Sequence, residues 1–169
     1  PNVEYLDSLI SKGHEIYRSI EECENLYGNV DIVISFGVIE HIQNPLNYLK
    51  SSYDLLKLGG RLYLETDNLD DILFQFNITN FNSFYFRTVH NWYFDKNSLK
   101  LLSEKAGFLD VQSGFRHGYG LSNAMNWINT KSPKGNVQLP FINETLDYHW
   151  KKTLEKEGFA ELLHFVLQK

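Results

Sequence analysis

The sequence of 169 residues lacks several features that mark particular classes of protein. Cys23 is its only cysteine, so an intrachain disulfide or a cysteine-rich zinc site is excluded. Its lysines and arginines form no cluster and its net charge is −5, which argues against binding to nucleic-acid phosphates. No apolar run approaches the ~20 residues that span a bilayer, and the first residues do not resemble a signal peptide. We therefore expect a cytoplasmic protein without a nucleic-acid partner or a membrane span.

The composition that is present favours a single folded domain. Hydrophobic residues make up 43% of the sequence and charged residues 22%, which is typical of globular proteins rather than disordered ones. A chain of this length can bury ~70% of its unfolded surface in one core. We therefore predict one domain over residues 1–169.

The order of apolar runs and helix signals predicts an α/β protein. Val30–Phe36 (VDIVISF) is a nearly continuous apolar run, typical of a strand that is buried on both faces. Asn44 and Pro45 form a helix start, and Arg61–Thr66 reads as the next strand. Strands and helices that alternate with short connections predict a mostly parallel sheet with helices on both faces.

The remaining regular elements and two irregular segments complete the predicted organisation. The additional predicted elements are a helix that ends at Gly13, a strand over His14–Tyr17, a helix between Asp95 and Gly107, a strand over Leu109–Phe115, a helix carrying Leu146, Trp150 and Leu154, and a last strand over Glu161–Leu167. Residues 74–94 are rich in aromatics without a clean period, and we interpret them as a lid-like insertion. Residues 116–143 form a second irregular insertion.

The order of these signals resembles the class I S-adenosylmethionine-dependent methyltransferases. The stretches that carry the resemblance are 31–45 (DIVISFGVIEHIQNP), 55–64 (LLKLGGRLYL), 90–94 (HNWYF) and 105–108 (KAGF). Residues 116–127 are also similar to a segment of methyltransferases from surface-polysaccharide clusters. The resemblance implies a Rossmann-like, seven-stranded sheet with an antiparallel last strand. It also implies that S-adenosylmethionine lies at the carboxyl ends of the strands, as ligands do on doubly wound sheets.

The resemblance assigns cofactor-binding roles to two segments. The residues implied to contact the methionine part are Ser35, Phe36, Gly37 and Val38, and those implied to lie near the adenine are Ser19, Ile20 and Glu21. At Gly37 the missing side chain lets a ligand approach the backbone, and an ordinary tight turn is the alternative explanation of this glycine.

One part of the family pattern is absent from this sequence. The glycine-rich loop after the first family strand and the acidic residue that ends the second have no counterpart. Gly59 and Gly60 lie between a helix and a strand, which is the wrong order for a nucleotide-binding loop. Pro1 aligns just beyond the missing acid. We therefore expect the N-terminal part of the domain to be missing, so that this sequence is the later part of a longer protein.

The candidate catalytic residues are His90, His41 and Glu40. Methyl transfer from a sulfonium is a direct displacement that needs a base only when the nucleophile carries a proton. His90 is the leading candidate for that base, with a hydrogen bond to the lid backbone as its alternative role, while His41 and Glu40 are expected at the rim. Glu40 could instead be a helix-start acid that the helix dipole favours. The two histidines lack ligand-like neighbours at close spacing, so we expect no metal site.

Aromatic and basic residues give the candidate substrate contacts. Tyr85, Trp92 and Tyr93 could stack against a ring or a sugar, or could belong to the core. By the resemblance of their segment, Arg116 and His117 could meet a phosphate or a sugar. We therefore predict methyl transfer to a small-molecule acceptor, such as a sugar or a nucleotide-sugar. The alternative is a non-catalytic methyltransferase-like scaffold, and an NAD-dependent dehydrogenase is disfavoured because no phosphate-binding glycine fingerprint is present.

Overall fold

The computed structural model describes residues 3–135 and 137–169, so Pro1, on which the predicted alignment begins, lies outside the described residues. The α-helices are α1 (Val3–Ser11), α2 (Pro45–Leu55), α3 (Ile72–Gln75), α4 (Phe81–Tyr85), α5 (Lys96–Lys105), α6 (Leu121–Thr130) and α7 (Glu144–Glu157). The strands are β1 (Val30–Phe36), β2 (Leu56–Asp67), β3 (Leu109–Arg116) and β4 (Leu162–Gln168), and 3-10 helices cover Ile20–Leu26 and Ile39–His41.

In the described residues these strands form one sheet of four strands in the order β1-β2-β4-β3. β1 and β2 are parallel, with Phe36 opposite Glu65. β4 is antiparallel to both of its neighbours, so β1, β2 and β3 run in one direction and the last strand runs against them. The predicted Rossmann-like fold with an antiparallel last strand is confirmed.

The helix starts form as their sequences predict. The side chain of Asn44 accepts a hydrogen bond from the amide of Asn47, and Pro45 occupies the first turn of α2. Asp95 and Ser98 form a reciprocal capping box at the start of α5. These two helices therefore begin where local chemistry satisfies the free amide groups.

The Gly59-Gly60 pair does not lie between a helix and a strand, where the sequence predicts it. β2 already begins at Leu56, and the pair lies within this strand. Gly59 has φ +80°, and a Cβ on Gly60 would lie 2.9 Å from the carbonyl oxygen of Lys57. The register between β1 and β2 shifts at this point, so the two glycines permit a bulge.

Two predictions about strands are wrong. His14–Tyr17 is not a strand, and its residues make local contacts such as the bond from the hydroxyl of Tyr17 to Glu15. β1 is not buried on both faces, because Ile32, Ile34 and Phe36 are 54%, 65% and 57% exposed. β1 lies at the sheet edge in the described chain, and the face that carries these side chains is left uncovered there.

Two apolar clusters stabilise the fold. The first, here called the sheet core, packs between the sheet and helices α2 and α5, and its buried members are Ile39, Leu49, Leu56, Leu62, Leu64, Phe94, Leu99, Ala106, Phe108, Leu163, Phe165 and Leu167. The second is here called the aromatic cap, and its buried members are Leu73, Ile78, Phe81, Tyr85, Ala124 and Trp127. The cap joins the two segments predicted as separate insertions, because α4 from one packs against α6 from the other.

None of the helices in the described part of the chain combines the length and the apolar character needed to cross a membrane.

Candidate functional site

The carboxyl ends of the parallel strands β1 and β2 lie side by side. The amide of Gly37, just after β1, donates to the carbonyl oxygen of Glu65 at 3.0 Å. Gly37 has φ +65°, and a Cβ there would meet one atom within 4 Å, Oε1 of Glu40 at 3.5 Å. The backbone at the end of β1 therefore borders open space that a ligand could enter. The positive φ favours glycine for its own reason, so both interpretations of this residue apply.

Glu40 is buried directly behind this turn. Its side chain is 6% exposed, and its Oε2 accepts a hydrogen bond from the hydroxyl of Thr66 on β2 at 2.8 Å. Glu40 also lies in the first turn of the 3-10 helix Ile39–His41, where the alternative role of a helix-start acid places it. The contact with β2 aims the other carboxylate oxygen, Oε1, towards His41.

His41 and His90 complete a cluster with Glu40. Nε2 of His41 lies 3.8 Å from Oε1 of Glu40, and its Nδ1 lies 2.8 Å from the carbonyl oxygen of Val89. Because a carbonyl oxygen only accepts hydrogen bonds, Nδ1 carries a proton, and in the neutral ring Nε2 keeps a lone pair. The backbone contact considered for His90 is thus made by His41. The rings of the two histidines are 4.7 Å apart at an angle of 83°.

His90 occupies the inner position of this cluster. Its side chain is 7% exposed, and its Nδ1 has no hydrogen-bond partner. Oδ2 of Asp67, at the end of β2, lies 3.5 Å from that nitrogen. Ligand atoms of Glu40, His41 and His90 all lie within 4.8 Å of one another. The fold therefore assembles a group that the spacing of these residues in the sequence did not predict.

Backbone contacts hold the segment around His90 in place. The amides of Asn91 and Trp92 donate to the carbonyl oxygen of Glu40 at 2.7 and 3.2 Å. The side-chain amide of Asn91 donates to the carbonyl oxygen of His41 at 2.7 Å. The aromatic segment is therefore fastened to the turn after β1, which fixes His90 relative to Glu40.

A cavity of about 250 Å³ lies beside the cluster, under the aromatic cap. Asp67 connects the two, because it lines the cavity and also faces His90. The aromatic side chains of the cavity wall are Phe81, Phe84, Tyr85, Tyr119 and Trp127, and its charged or titratable side chains are Asp67, Asp71, Arg87, His117 and Glu161.

Burial governs the protonation of the cavity wall. It raises the pKa of Asp71 to about 6 and that of Glu161 to about 7. Burial, reinforced by the charge of Glu40, also raises the pKa of Asp67. Burial lowers the pKa of His117 to about 4, and its Nδ1 accepts a hydrogen bond from the amide of Glu161. His117 is therefore neutral at pH 7 and does not supply a cation for a phosphate.

Arg116, the second residue considered for a phosphate, has a protein partner. Its guanidinium donates two hydrogen bonds to the carboxylate of Glu65, at 2.7 and 2.8 Å. These bonds raise the pKa of Arg116 further. In this bidentate geometry the positive charge of Arg116 is paired with the carboxylate of Glu65.

The three aromatic candidates occupy different places. Tyr85 lines the cavity and donates a hydrogen bond to the carbonyl oxygen of Asn68 at 2.8 Å. Trp92 and Tyr93 border a separate, more open depression beside Pro45. Of the three, the structure brings Tyr85 to the cavity.

The residues implied for cofactor binding fall into two groups. Ser35 is buried, and its hydroxyl accepts a hydrogen bond from the hydroxyl of Tyr48. Its side chain is therefore already bonded within the protein, and the backbone of residues 35–38 lies at the carboxyl end of β1. Ser19, Ile20 and Glu21 lie at the start of a 3-10 helix. The turn after that helix is bound to α2 by a 2.8 Å hydrogen bond from the amide of Gly28 to Asp54. Their contact with an adenine stays a prediction.

Sequence reasoning missed four residues near the site. Thr66 and Asp67 follow directly along β2, and the rule that parallel strands share a carboxyl edge could have placed them beside Glu40. Asp71 directly precedes α3 and Glu161 directly precedes β4, and both residues line the cavity. No local pattern in the sequence brings those two carboxylates together.

Comparison with known proteins places this geometry in a family. A family model described as a methyltransferase domain matches residues 7–113, which is more than half of the chain. A tRNA U34 carboxymethyltransferase from Helicobacter acinonychis is 36% identical over 74 residues, which cover 41% of this chain and 28% of that protein. A ubiquinone biosynthesis O-methyltransferase from Ruegeria pomeroyi is 45% identical over 38 residues, which cover 22% of this chain and 15% of that protein. The matched regions thus span less than a third of either curated relative.

Solved structures share the fold at low sequence identity. A SAM-dependent methyltransferase from Archaeoglobus fulgidus superposes with a TM-score of 0.56 at 15% identity, covering 98% of this chain and 81% of that one. A SAM-dependent methyltransferase from Thermotoga maritima, described as a possible histamine N-methyltransferase, gives a TM-score of 0.55 at 18% identity. That second match covers 85% of this chain and 57% of the other.

Proposed function

Because the chain belongs to the methyltransferase domain family, we propose that it forms the acceptor side and part of the donor side of an S-adenosylmethionine-dependent methyl-transfer site. The observation that carries this proposal is the meeting of the open backbone at Gly37 with the cluster of Glu40, His41 and His90. Both lie at the carboxyl ends of β1 and β2, where ligands bind on sheets of this kind.

The residues at the end of β1 fit the methyl donor. The Cβ direction of Gly37 is open apart from Glu40, and Phe36 beside it is 57% exposed, so backbone and an apolar surface are both available there. In the proposal, residues 35–38 line the methionine part and Ser19, Ile20 and Glu21 lie near the adenine. S-adenosylmethionine, when bound, supplies an electrophilic methyl group. The chain's own residues hold and orient the reactants and exclude water.

A small molecule is the acceptor class that the cavity supports. Its volume of about 250 Å³ and its aromatic wall suit a compact ring or a sugar, and Tyr85 contributes to that wall. We include a sugar or a nucleotide-sugar among the proposed acceptors because residues 116–127 are similar to a segment of polysaccharide-cluster methyltransferases. The neutral His117 and the paired Arg116 lend no support to a phosphate contact at those two residues.

Substitutions at Gly37 test whether this residue borders the methyl donor or only permits the turn. Asparagine tolerates a left-handed backbone better than valine does, yet both side chains extend into the space beyond Gly37. We expect Gly37→Asn and Gly37→Val each to weaken S-adenosylmethionine binding at least ~10-fold in calorimetric titrations, with only Gly37→Val also lowering the melting temperature. The matched control is Gly13→Asn, at a glycine with φ +83° and open surroundings at the end of α1.

The competing function is a scaffold without cofactor. In that case S-adenosylmethionine gives no binding heat even with the full-length protein that carries the expected N-terminal part of the domain. Unchanged affinity in Gly37→Asn together with a stability loss in Gly37→Val would assign Gly37 to the turn alone and remove the donor site from this strand end.

A further inference from the structure

The cluster at the end of β1 has the composition of a metal site. Two imidazoles and one carboxylate, from His41, His90 and Glu40, offer ligand atoms within 4.8 Å of one another. Imidazole nitrogens and a carboxylate oxygen are the ligand set of catalytic zinc sites with two histidines and one acid. Ligand atoms on one zinc ion lie about 3.3 Å apart, so small side-chain rotations would bring these three into range.

The orientation of each ligand is already set by a second contact. His41 donates its Nδ1 proton to the carbonyl oxygen of Val89, which leaves the lone pair of Nε2 facing Glu40. Glu40 receives the Thr66 hydroxyl on Oε2, which leaves Oε1 facing His41. Metal-binding histidines and carboxylates are held in this way by backbone carbonyls and hydroxyls behind them.

His90 supplies the independent observation. Its side chain is more than nine-tenths buried, and its Nδ1 has no hydrogen-bond partner. An unpaired buried nitrogen costs free energy unless something occupies its lone pair or accepts its proton. The nearest acceptor, Oδ2 of Asp67, is 3.5 Å away, which is longer than an ordinary hydrogen bond. A cation held by Glu40, His41 and His90 would give one of the two ring nitrogens of His90 a partner.

We propose that Glu40, His41 and His90 bind one divalent transition-metal ion of the zinc type. Asp67 stands beside the ion at the cavity wall, so the remaining coordination position faces the cavity and is open to an acceptor oxygen. The ion site itself depends only on the three side chains. Its connection to the acceptor rests on the proposed methyl-transfer function.

Cobalt titration tests the site without cofactor or turnover. Tetrahedral Co²⁺ bound by nitrogen and oxygen ligands absorbs visible light, and Zn²⁺ displaces it. We expect one Co²⁺ per protein, displaced by one Zn²⁺, with affinity lowered at least ~100-fold in His90→Gln and in His41→Ala. Thr66→Val, which removes only the contact behind Glu40, should lower the affinity by ~10- to 100-fold. The matched control is His149→Gln, because His149 is exposed on α7 outside the cluster, and it should bind Co²⁺ normally.

The outcomes separate this site from the methyl-transfer proposal. Circular dichroism and thermal melting show whether each variant folds, and His41→Ala keeps the test valid if His90→Gln does not, because the His41 side chain is 41% exposed. Absence of Co²⁺ binding, or equal binding in folded His41→Ala, overturns the metal site while the Gly37 titrations stand. Cobalt binding together with unchanged S-adenosylmethionine affinity in Gly37→Asn keeps the metal site and overturns the donor site.

Discussion

The sheet core and the aromatic cap bury apolar side chains in different ways. Six leucines of the sheet core are fully buried, namely Leu49, Leu56, Leu62, Leu99, Leu163 and Leu167. In the cap, rings such as Phe81 and Trp127 meet edge to face at 5.3 Å and leave a cavity of about 250 Å³ beside them. The sheet core therefore packs around fully buried leucines, whereas the cap borders a cavity that is surrounded by titratable groups. In the proposed function, this cavity of the cap receives the acceptor.

The largest expected effect is on the cap. Trp127→Ala should lower the free energy of unfolding by ~3–5 kcal/mol, because a nearly buried indole that contacts Phe81 and Phe84 is lost. Leu62→Ala in the sheet core is the matched variant, with an expected loss of ~2–5 kcal/mol. Urea unfolding followed by circular dichroism measures both.

The cap and the sheet core should unfold together in that experiment. They share the hydrogen bond from the Tyr85 hydroxyl to Asn68 at the end of β2, as well as the contacts that fasten residues 90–92 to Glu40 and His41. An early, separate transition in Trp127→Ala alone would show that the cap is an independent folding unit.

A smaller effect concerns the charges around the cavity. Burial raises the pKa of Glu161 from 4.5 in the unfolded chain to about 7, so the folded state holds its proton more tightly. The folded protein therefore loses stability as the pH rises from about 4.5 to 7. Glu161→Gln keeps an oxygen for the Gly118 amide, with which Glu161 now bonds, and removes the charge. The stability of the variant minus that of the unaltered protein should therefore increase by on the order of 2 kcal/mol from pH 5 to pH 8, after allowance for solvent screening.

Comparing the two proteins at each pH isolates Glu161. The neighbouring Asp71, Asp67, Arg116 and His117 are present in both, so their own titrations largely cancel in the difference. Melting temperatures at pH 5 and pH 8 provide the measurement. A difference between the two proteins that does not change with pH would show that Glu161 titrates as an ordinary exposed acid.

The smallest expected loss of stability concerns α5, which packs on the sheet core. Asp95→Ala removes the acceptor of the capping box at the start of α5, and it should lower the free energy of unfolding by ~1 kcal/mol. Hydrogen bonds from Ser98 also hold the pKa of Asp95 below its usual range. The loss should therefore fade in acid, when the carboxylate of the unaltered protein is protonated. A loss of equal size at pH 2 and pH 7 would contradict the capping explanation.

Local signals account for what the sequence could predict. Asn44 with Pro45 and Asp95 with Ser98 specify their helix starts through bonds to nearby amides, and Val30–Phe36 specifies its strand through composition. The aromatic cap was not predictable in the same way, because its rings follow no period and their partners in α6 lie far along the chain. The contact of Glu40 with His90 likewise depends on long-range backbone bonds. Residue type suggested each of these side chains, but only the fold shows that they converge.

The uncovered face of β1 also has a consequence for how the protein behaves at high concentration. The seven residues of this strand contain no proline and a single charge, Asp31, which pairs with Lys57. Charged side chains on an edge strand act as gatekeepers that repel a second copy, and this pairing leaves β1 electrically neutral. Ile32, Ile34 and Phe36 add a row of exposed apolar side chains on the same strand. Whenever this edge is free, β1 can therefore pair with the same strand of a second copy.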